Sequence, residues 1–253
     1  MDRTDEQRAD RRPPELTVIV PVYNEADTVV ELLERVLAVE LPMQIIAVDD
    51  GSTDGSRALI DQFAREHPEV ELVCHGANRG KGAAVRTAIP RARGRWTIIQ
   101  DADLEYDPNE YGKLLATAEE HGVRVVYGSR ILGSPNRSYR RYYWGGRLVS
   151  LAASIIYGQW ITDEPTCYKL FDTALLQSLP LREDGFGFCA EATAMVCRLG
   201  ERIVEVPISY HPRSIEQGKK IRWTDGLAAV WILLKHRFAC APRGCAPSEA
   251  VAP

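Results

Sequence analysis

The chain has 253 residues, 45% of them hydrophobic and 26% charged, with a formal net charge of −4. That is the make-up of a globular protein of one large domain, or of one domain with an appendage. The acidic balance argues against a nucleic-acid binder, and no apolar run approaches the ~20 residues needed to cross a bilayer.

In chain order, residues 1–14 are charged and lack the apolar core of a secretory signal, so they read as a disordered tail. β-Branched runs at 16–22, 43–48, 70–74, 96–100 and 124–128 predict strands buried on both faces. Amphipathic patterns at 26–40, 55–66, 81–92 and 109–121 predict helices between them; Val29, Leu32, Leu33, Val36 and Leu37 repeat at helical spacing. This alternation predicts an α/β fold with a mostly parallel sheet and right-handed crossovers. After Arg130 the pattern changes. A basic loop at 133–141 precedes a helix at 144–157, an extended piece at 164–171, a helix at 188–199 and an extended piece at 202–210. A polar loop follows at 211–220, then an amphipathic helix at 225–238 and a loose tail over 239–253. Six cysteines show no CxxC pair and no zinc spacing, as expected of reduced, mostly packing cysteines in a cytoplasmic protein. The span 124–147 holds six arginines and no acid, which suggests a local anion site or a solvated basic face.

Candidate chemistry gathers at strand ends. Asp101-Ala102-Asp103 follows the apolar run Trp96-Thr97-Ile98-Ile99, and paired carboxylates there make a hard-oxygen site suited to Mg²⁺ or Mn²⁺ with substrate phosphates. Glu105 joins them if the backbone stays extended. Tyr23 can stack on a base, and Asn24 and Glu25 can hydrogen-bond a nucleoside; a strand-ending turn with a helix cap explains them equally. In Asp49-Asp50-Gly51-Ser52-Thr53-Asp54 one acid can bond a base or ribose, while Ser52 and Asp54 can simply cap the next helix. Asn78-Arg79-Gly80-Lys81-Gly82 opens a helix where phosphate can sit, without the full GxxxxGK[ST] pattern; Lys81 is as readily a surface lysine.

The order VIVPVYNE, VDDGSTDGS, NRGKG, QDADLEYDP resembles the family 2 glycosyltransferases of the GT-A fold, over about residues 16–238. Tyr127-Gly128-Ser129-Arg130, Asp163-Glu164-Pro165-Thr166-Cys167-Tyr168, and Arg213 with Lys219 resemble the dolichol-phosphate or polyprenyl-phosphate mannosyl- and glucosyltransferase branch. The resemblance implies a Rossmann-like GT-A domain over 15–238, with a nucleotide-sugar half (15–130) and an acceptor half (131–238) ending in helices. It implies that Pro21, Tyr23, Asn24, Glu25, Val48 and Asp50, joined by Lys81, Asp101 and Ala102, hold a GDP- or UDP-sugar. Asp101, Asp103 and Glu105 would hold Mg²⁺ or Mn²⁺, and Arg130, Arg141, Arg213 and Lys219 would grip donor and acceptor phosphates. Asp103, Arg130 and Asp163 would form the catalytic set of an inverting transfer of mannose or glucose to a polyprenyl phosphate. Glu105 stands where that branch commonly has Gln, and DEPTCYK departs from its DP-x-SG-like stretch.

An ionised phosphate acceptor needs positioning rather than a strong base. A soluble hydroxyl acceptor, the alternative, would need one: Asp163, as a loop acid facing the sugar, or Glu191, which is otherwise a paired helix acid. A sugar-nucleotide-binding regulator without catalysis is a third reading. A dinucleotide dehydrogenase is disfavoured because no GxGxxG follows the first strand. For the last helix, with Trp223, Leu227, Val230, Trp231 and Leu234 along one side, core packing and peripheral contact with the cytoplasmic face of a membrane both remain open.

Overall fold

The computed structural model describes residues 14–133, 140–212 and 223–239. The expected tails and the greater part of both polar loops, including Arg213 and Lys219, lie outside the described residues, as does the side chain of Arg141.

Seven strands form one sheet: β1 (Leu16–Val22), β2 (Met43–Asp49), β3 (Val70–Cys74), β4 (Trp96–Ile99), β5 (Val125–Ser129), β6 (Lys169–Asp172) and β7 (Ile203–Pro207). Their spatial order is β3-β2-β1-β4-β6-β5-β7. All neighbours are parallel except β6, which runs antiparallel to both β4 and β5. β4 and β5, consecutive in the chain, are therefore joined through a strand formed about forty residues later.

Helices cover both faces. The first group is α1 (Val29–Leu37), α2 (Ser56–Glu66) and α4 (Tyr111–His121), which pack with Val18, Val20 and Val22 into one core. The opposite core joins Ile19, Ile46 and Val48 to α3 (Lys81–Ala88), α6 (Arg140–Tyr157), α7 (Thr173–Ser178), α8 (Phe188–Arg198) and α9 (Trp223–Phe238). The short α5 (Arg130–Gly133) follows β5. Alternate β1 residues feed opposite cores, as the two-residue period of a strand requires. The helix expected over 81–92 stops at Ala88, where Pro90 enforces a 3₁₀ turn over Ile89–Arg91. The helix expected from 109 begins at Tyr111, behind a 3₁₀ turn at Pro108–Glu110 that is capped by Asp107.

The parallel register brings the carboxyl ends of β1, β2 and β4 to one edge. Val22 lies opposite Asp49, and Ile19 opposite Ile99, so the turns after all three strands open on a common crevice.

Candidate active site

The crevice is lined by Pro21, Tyr23 and Glu25 after β1, Asp50 after β2, Lys81 of α3, Asp101, Ala102, Asp103 and Glu105 after β4, and Arg130 after β5. Ten residues singled out from the sequence thus meet in one place. Asn78, Tyr106 and Cys167, which the sequence offered only inside longer motifs, line it too, as do Phe186 and Tyr210, which it did not single out.

The acids after β4 are held in a strained turn. Leu104 has φ of 60°, a left-handed conformation that a bulky side chain rarely adopts, so the segment is not extended. The bend nevertheless presents Asp103 and Glu105 to the same crevice: Asp103 Oδ1 accepts from the Glu105 amide at 3.1 Å, and Glu105 Oε2 accepts from the Tyr210 hydroxyl at 2.6 Å. Burial, then the nearby carboxylates Asp101 and Glu105, push the Asp103 carboxyl up to about 7. Asp101 behaves oppositely. Burial opposes its ionisation, but the Lys81 ammonium, 2.5 Å away, outweighs this and holds its carboxyl below the usual value. Lys81 also donates to Cys167 Sγ at 2.8 Å. It is a partly buried crevice residue rather than a surface lysine, and Cys167 lines the crevice beside it.

Asp50 organises the wall. Its Oδ1 accepts from the Arg79 amide (2.9 Å) and pairs with His75 Nδ1 (2.6 Å), and its Oδ2 accepts from the Gly80 amide (2.7 Å). Both oxygens are thus engaged in holding the turn before α3, a task no sequence signal separated from nucleoside binding. Gly80 has φ of +99°, and a Cβ there would lie 2.5 Å from the Asp184 carbonyl. A Cβ on Gly82 would collide with the Glu183 carbonyl. Gly82→Ala is therefore expected to cost about 1–3 kcal/mol through overpacking, lowering the thermal midpoint by roughly 5 °C; a melt unchanged from wild type would contradict this close approach.

Two expected donor contacts sit elsewhere. The Val48 side chain is fully buried in the core, not in the crevice, because it lies within β2. Asn24, at φ 53°, accepts from the Thr53 amide through Oδ1 (2.8 Å), and its own amide donates to Ser52 Oγ (3.0 Å). It laces the β1 and β2 turns together rather than lining the cavity.

Arg130 is fixed by Asp163. The Asp163 carboxylate accepts from Arg130 Nε at 2.8 Å, Nη2 at 2.7 Å and the backbone amide at 2.9 Å, and the guanidinium lies 5.1 Å from the Tyr210 ring centroid. Asp163 is 2% exposed and sits behind Arg130, so the expectation of a sugar-facing acid gives way to a carboxylate that aims a cation. Glu191 is also buried. Its Oε2 accepts from the Arg182 and Glu183 amides, both at 2.8 Å, and its Oε1 lies 3.5 Å from His236 Nε2. It stands between α8 and α9 and is not part of the crevice lining.

Three carboxylates in one crevice, one of them pushed up by burial and by the other two, form a donor set that suits a hard divalent cation. The glycosyl transferase family 2 model matches residues 17–179. The chain belongs to that family. It is 30% identical over 242 residues to an undecaprenyl-phosphate mannosyltransferase of Micrococcus luteus, covering 87% of this chain and 97% of that one. It is 30% identical over 226 residues to a polyprenol monophosphomannose synthase of Mycolicibacterium smegmatis, covering 85% and 84%. Among solved structures it superposes on a glucosyl-3-phosphoglycerate synthase of Mycobacterium tuberculosis with Mn²⁺ and UDP (TM-score 0.64, 18% identity, 88% and 80% covered). A mannosyltransferase of Pyrobaculum calidifontis with GDP-mannose and Mn²⁺ superposes with a TM-score of 0.57 at 22% identity, covering 90% and 75%. The fold is GT-A, and this family 2 member is a nucleotide-sugar-dependent glycosyltransferase.

Proposed function

We propose that this family 2 enzyme moves a hexose from a GDP- or UDP-sugar to a polyprenyl phosphate, with inversion in a single displacement. The observation that carries this reading is the engagement of both candidate bases. A hydroxyl acceptor would need a proton acceptor, yet Asp163 is held on Arg130 and Glu191 lies away from the crevice. An acceptor phosphate arrives ionised and needs a cation to place it, and Arg130 is one. The names of the two bacterial relatives, transferases to undecaprenyl phosphate and polyprenol, support the same acceptor class.

In the proposed step an acceptor phosphate oxygen forms a bond to the anomeric carbon while the bond from that carbon to the nucleoside diphosphate breaks. The electron pair leaves with the diphosphate, and no proton has to move. Tyr23 and Glu25 meet the nucleoside, Asp101, Asp103 and Glu105 hold Mg²⁺ or Mn²⁺, and Arg130, aimed by Asp163, orients the acceptor. When bound, the cation supplies charge neutralisation for the departing diphosphate. Arg141, Arg213 and Lys219 remain the proposed further phosphate contacts. Residues 15–130 would serve the donor and residues 131–238 the acceptor. No helix among the described residues is long and apolar enough to cross a membrane.

The purified chain, Mn²⁺ and a panel of GDP- and UDP-sugars, with and without a short polyprenyl phosphate, test this by mass spectrometry. A glycolipid formed with one donor is expected. Donor hydrolysis without glycolipid, or transfer to a soluble sugar hydroxyl, would overturn the acceptor assignment.

The raised Asp103 gives a pH prediction. Between the ordinary value of 3.8 and about 7 the folded chain keeps a proton that the unfolded chain has released, so stability falls as pH rises through that window. A cation bound to ionised Asp103 removes this penalty. Mn²⁺ should therefore raise the thermal midpoint more at roughly pH 8 than at roughly pH 6; equal shifts at both would count against Asp103 as a ligand.

A further inference from the structure

A second cluster of metal-ligating side chains lies outside the crevice. Glu183 stands in the segment before α8, Glu191 in the first turn of α8 and His236 in the last turn of α9. One carboxylate oxygen from each acid and one ring nitrogen of the histidine lie within 4.8 Å of one another. Glu191 is 1% exposed and His236 7% exposed. Glu191 Oε2 is occupied by the Arg182 and Glu183 amides. Its Oε1 has no hydrogen-bond partner among the described residues, and neither has His236 Nε2. Those two orphaned atoms are 3.5 Å apart. A buried polar atom without a partner is costly, and two that meet in one place ask for a common one.

A shared proton satisfies the pair poorly. The gap is long for a charge-assisted hydrogen bond, which spans about 2.7–2.9 Å. Burial holds the His236 imidazole below its ordinary value, against the pull of Glu191, so at neutral pH the ring is uncharged and offers a lone pair. A divalent cation fits better. An ion about 2.1 Å from each of two ligands in a tetrahedral array sets those ligands about 3.4 Å apart. Glu183 Oε1 is 3.3 Å from Lys235 Nζ, a half-exposed lysine that an ion can displace into solvent. The donor set also chooses the ion. An imidazole with two carboxylates suits Zn²⁺, whereas the three crevice carboxylates offer oxygen alone and suit Mg²⁺ or Mn²⁺.

We propose that Glu183, Glu191 and His236 form a second metal site, for Zn²⁺, that staples the rim of the crevice to α8 and α9. The two helices are already tied by Arg198 of α8, whose guanidinium donates to the His236 carbonyl at 2.5 Å. The third ligand brings in the rim. From Glu183 the chain runs straight into it: the Asp184 carbonyl accepts from the Ala83 amide of α3 at 2.9 Å, Arg86 reaches the Asp184 carboxylate at 2.5 Å, and Gly185 and Phe186 line the crevice. None of the three ligands lines the crevice itself, so the ion is structural, and water takes its fourth position. The site goes beyond the proposed transfer and stands whichever acceptor the enzyme uses.

The test titrates Zn²⁺ into the full chain, stripped of metal and held in excess Mg²⁺, against a chromophoric chelator, and follows the thermal midpoint alongside. Wild type is expected to take up a single Zn²⁺ that Mg²⁺ does not displace, and to melt about 5 °C higher with it. Glu183→Gln and His236→Gln should each weaken Zn²⁺ binding about a hundredfold, with metal-free melts near that of wild type to show that they fold. Asp103→Asn, in the crevice, should leave Zn²⁺ affinity within about twofold. Co²⁺ in place of Zn²⁺ should give a tetrahedral spectrum without a thiolate charge-transfer band, which sets the cysteines aside. No Zn²⁺ uptake in Mg²⁺ would overturn the site, as would full uptake by His236→Gln. Uptake lost with Asp103→Asn, or a thiolate band, would place the ion elsewhere and overturn it equally.

Discussion

Removing Asp103 as a carboxylate is expected to lower sugar transfer by about three orders of magnitude without unfolding the enzyme. The two effects separate because of where this residue sits. Burial and its neighbours already press Asp103 toward the neutral acid, so Asp103→Asn removes a charge that the fold tolerates poorly. The thermal midpoint without metal should hold or rise slightly above neutral pH, while turnover with Mn²⁺ collapses. Asp101→Ala is a different experiment, since it takes the partner from a buried Lys81 ammonium and is expected to destabilise by roughly 3–5 kcal/mol. Transfer rates and melts of both single variants, read together, make the distinction. Asp103→Asn within tenfold of wild-type turnover would remove this carboxylate from the chemistry.

Arg130 carries the second large effect. Arg130→Lys keeps a positive charge but loses the planar fork that meets both Asp163 oxygens, and it should lower kcat/KM for the acceptor by about a hundredfold with little change in donor KM. Arg130→Ala leaves Asp163 buried and without its guanidinium. About 3–5 kcal/mol of stability would go with it, a drop of roughly 10 °C in the thermal midpoint for a chain of this length. Asp163→Asn, which keeps shape and one acceptor oxygen, should reproduce the Lys phenotype in milder form if Asp163 acts by aiming Arg130. A donor KM that moves as much as the acceptor KM would point instead to a donor-side role for the pair.

The sheet was legible from sequence where its strands are long and β-branched: β1, β2, β3, β4 and β5 fall within a residue or two of their expected bounds. β6 was visible only as part of an extended piece. Its four residues, Lys-Leu-Phe-Asp, have no pattern that distinguishes an antiparallel insertion from an edge, because strand direction leaves no trace in periodicity. α7 is six residues long and too short for a helical period to show. In the site, acids at strand ends announced the crevice because parallel strands must end on one edge. Which acids face inward did not follow. Asn24 has the same chemistry whether it binds a ligand or laces two turns together, and only the groups that reach it decide. Asp163 and Arg130 are 33 residues apart, and their pairing depends on a fold contact that local spacing cannot report.

The antiparallel strand also imposes an order on how the protein can be made. β5 has no sheet neighbour until β6 or β7 exists, and β4 has an unpaired edge until β6 slots beside it. As the chain leaves the ribosome, the first 130 residues therefore present three strand edges, one on β4 and two on β5, that nothing yet synthesised can close, the exposure that invites aggregation. A genetic truncation after residue 130 should precipitate rather than fold, and ribosomal pausing just before Lys169 would prolong the interval in which those edges stay open.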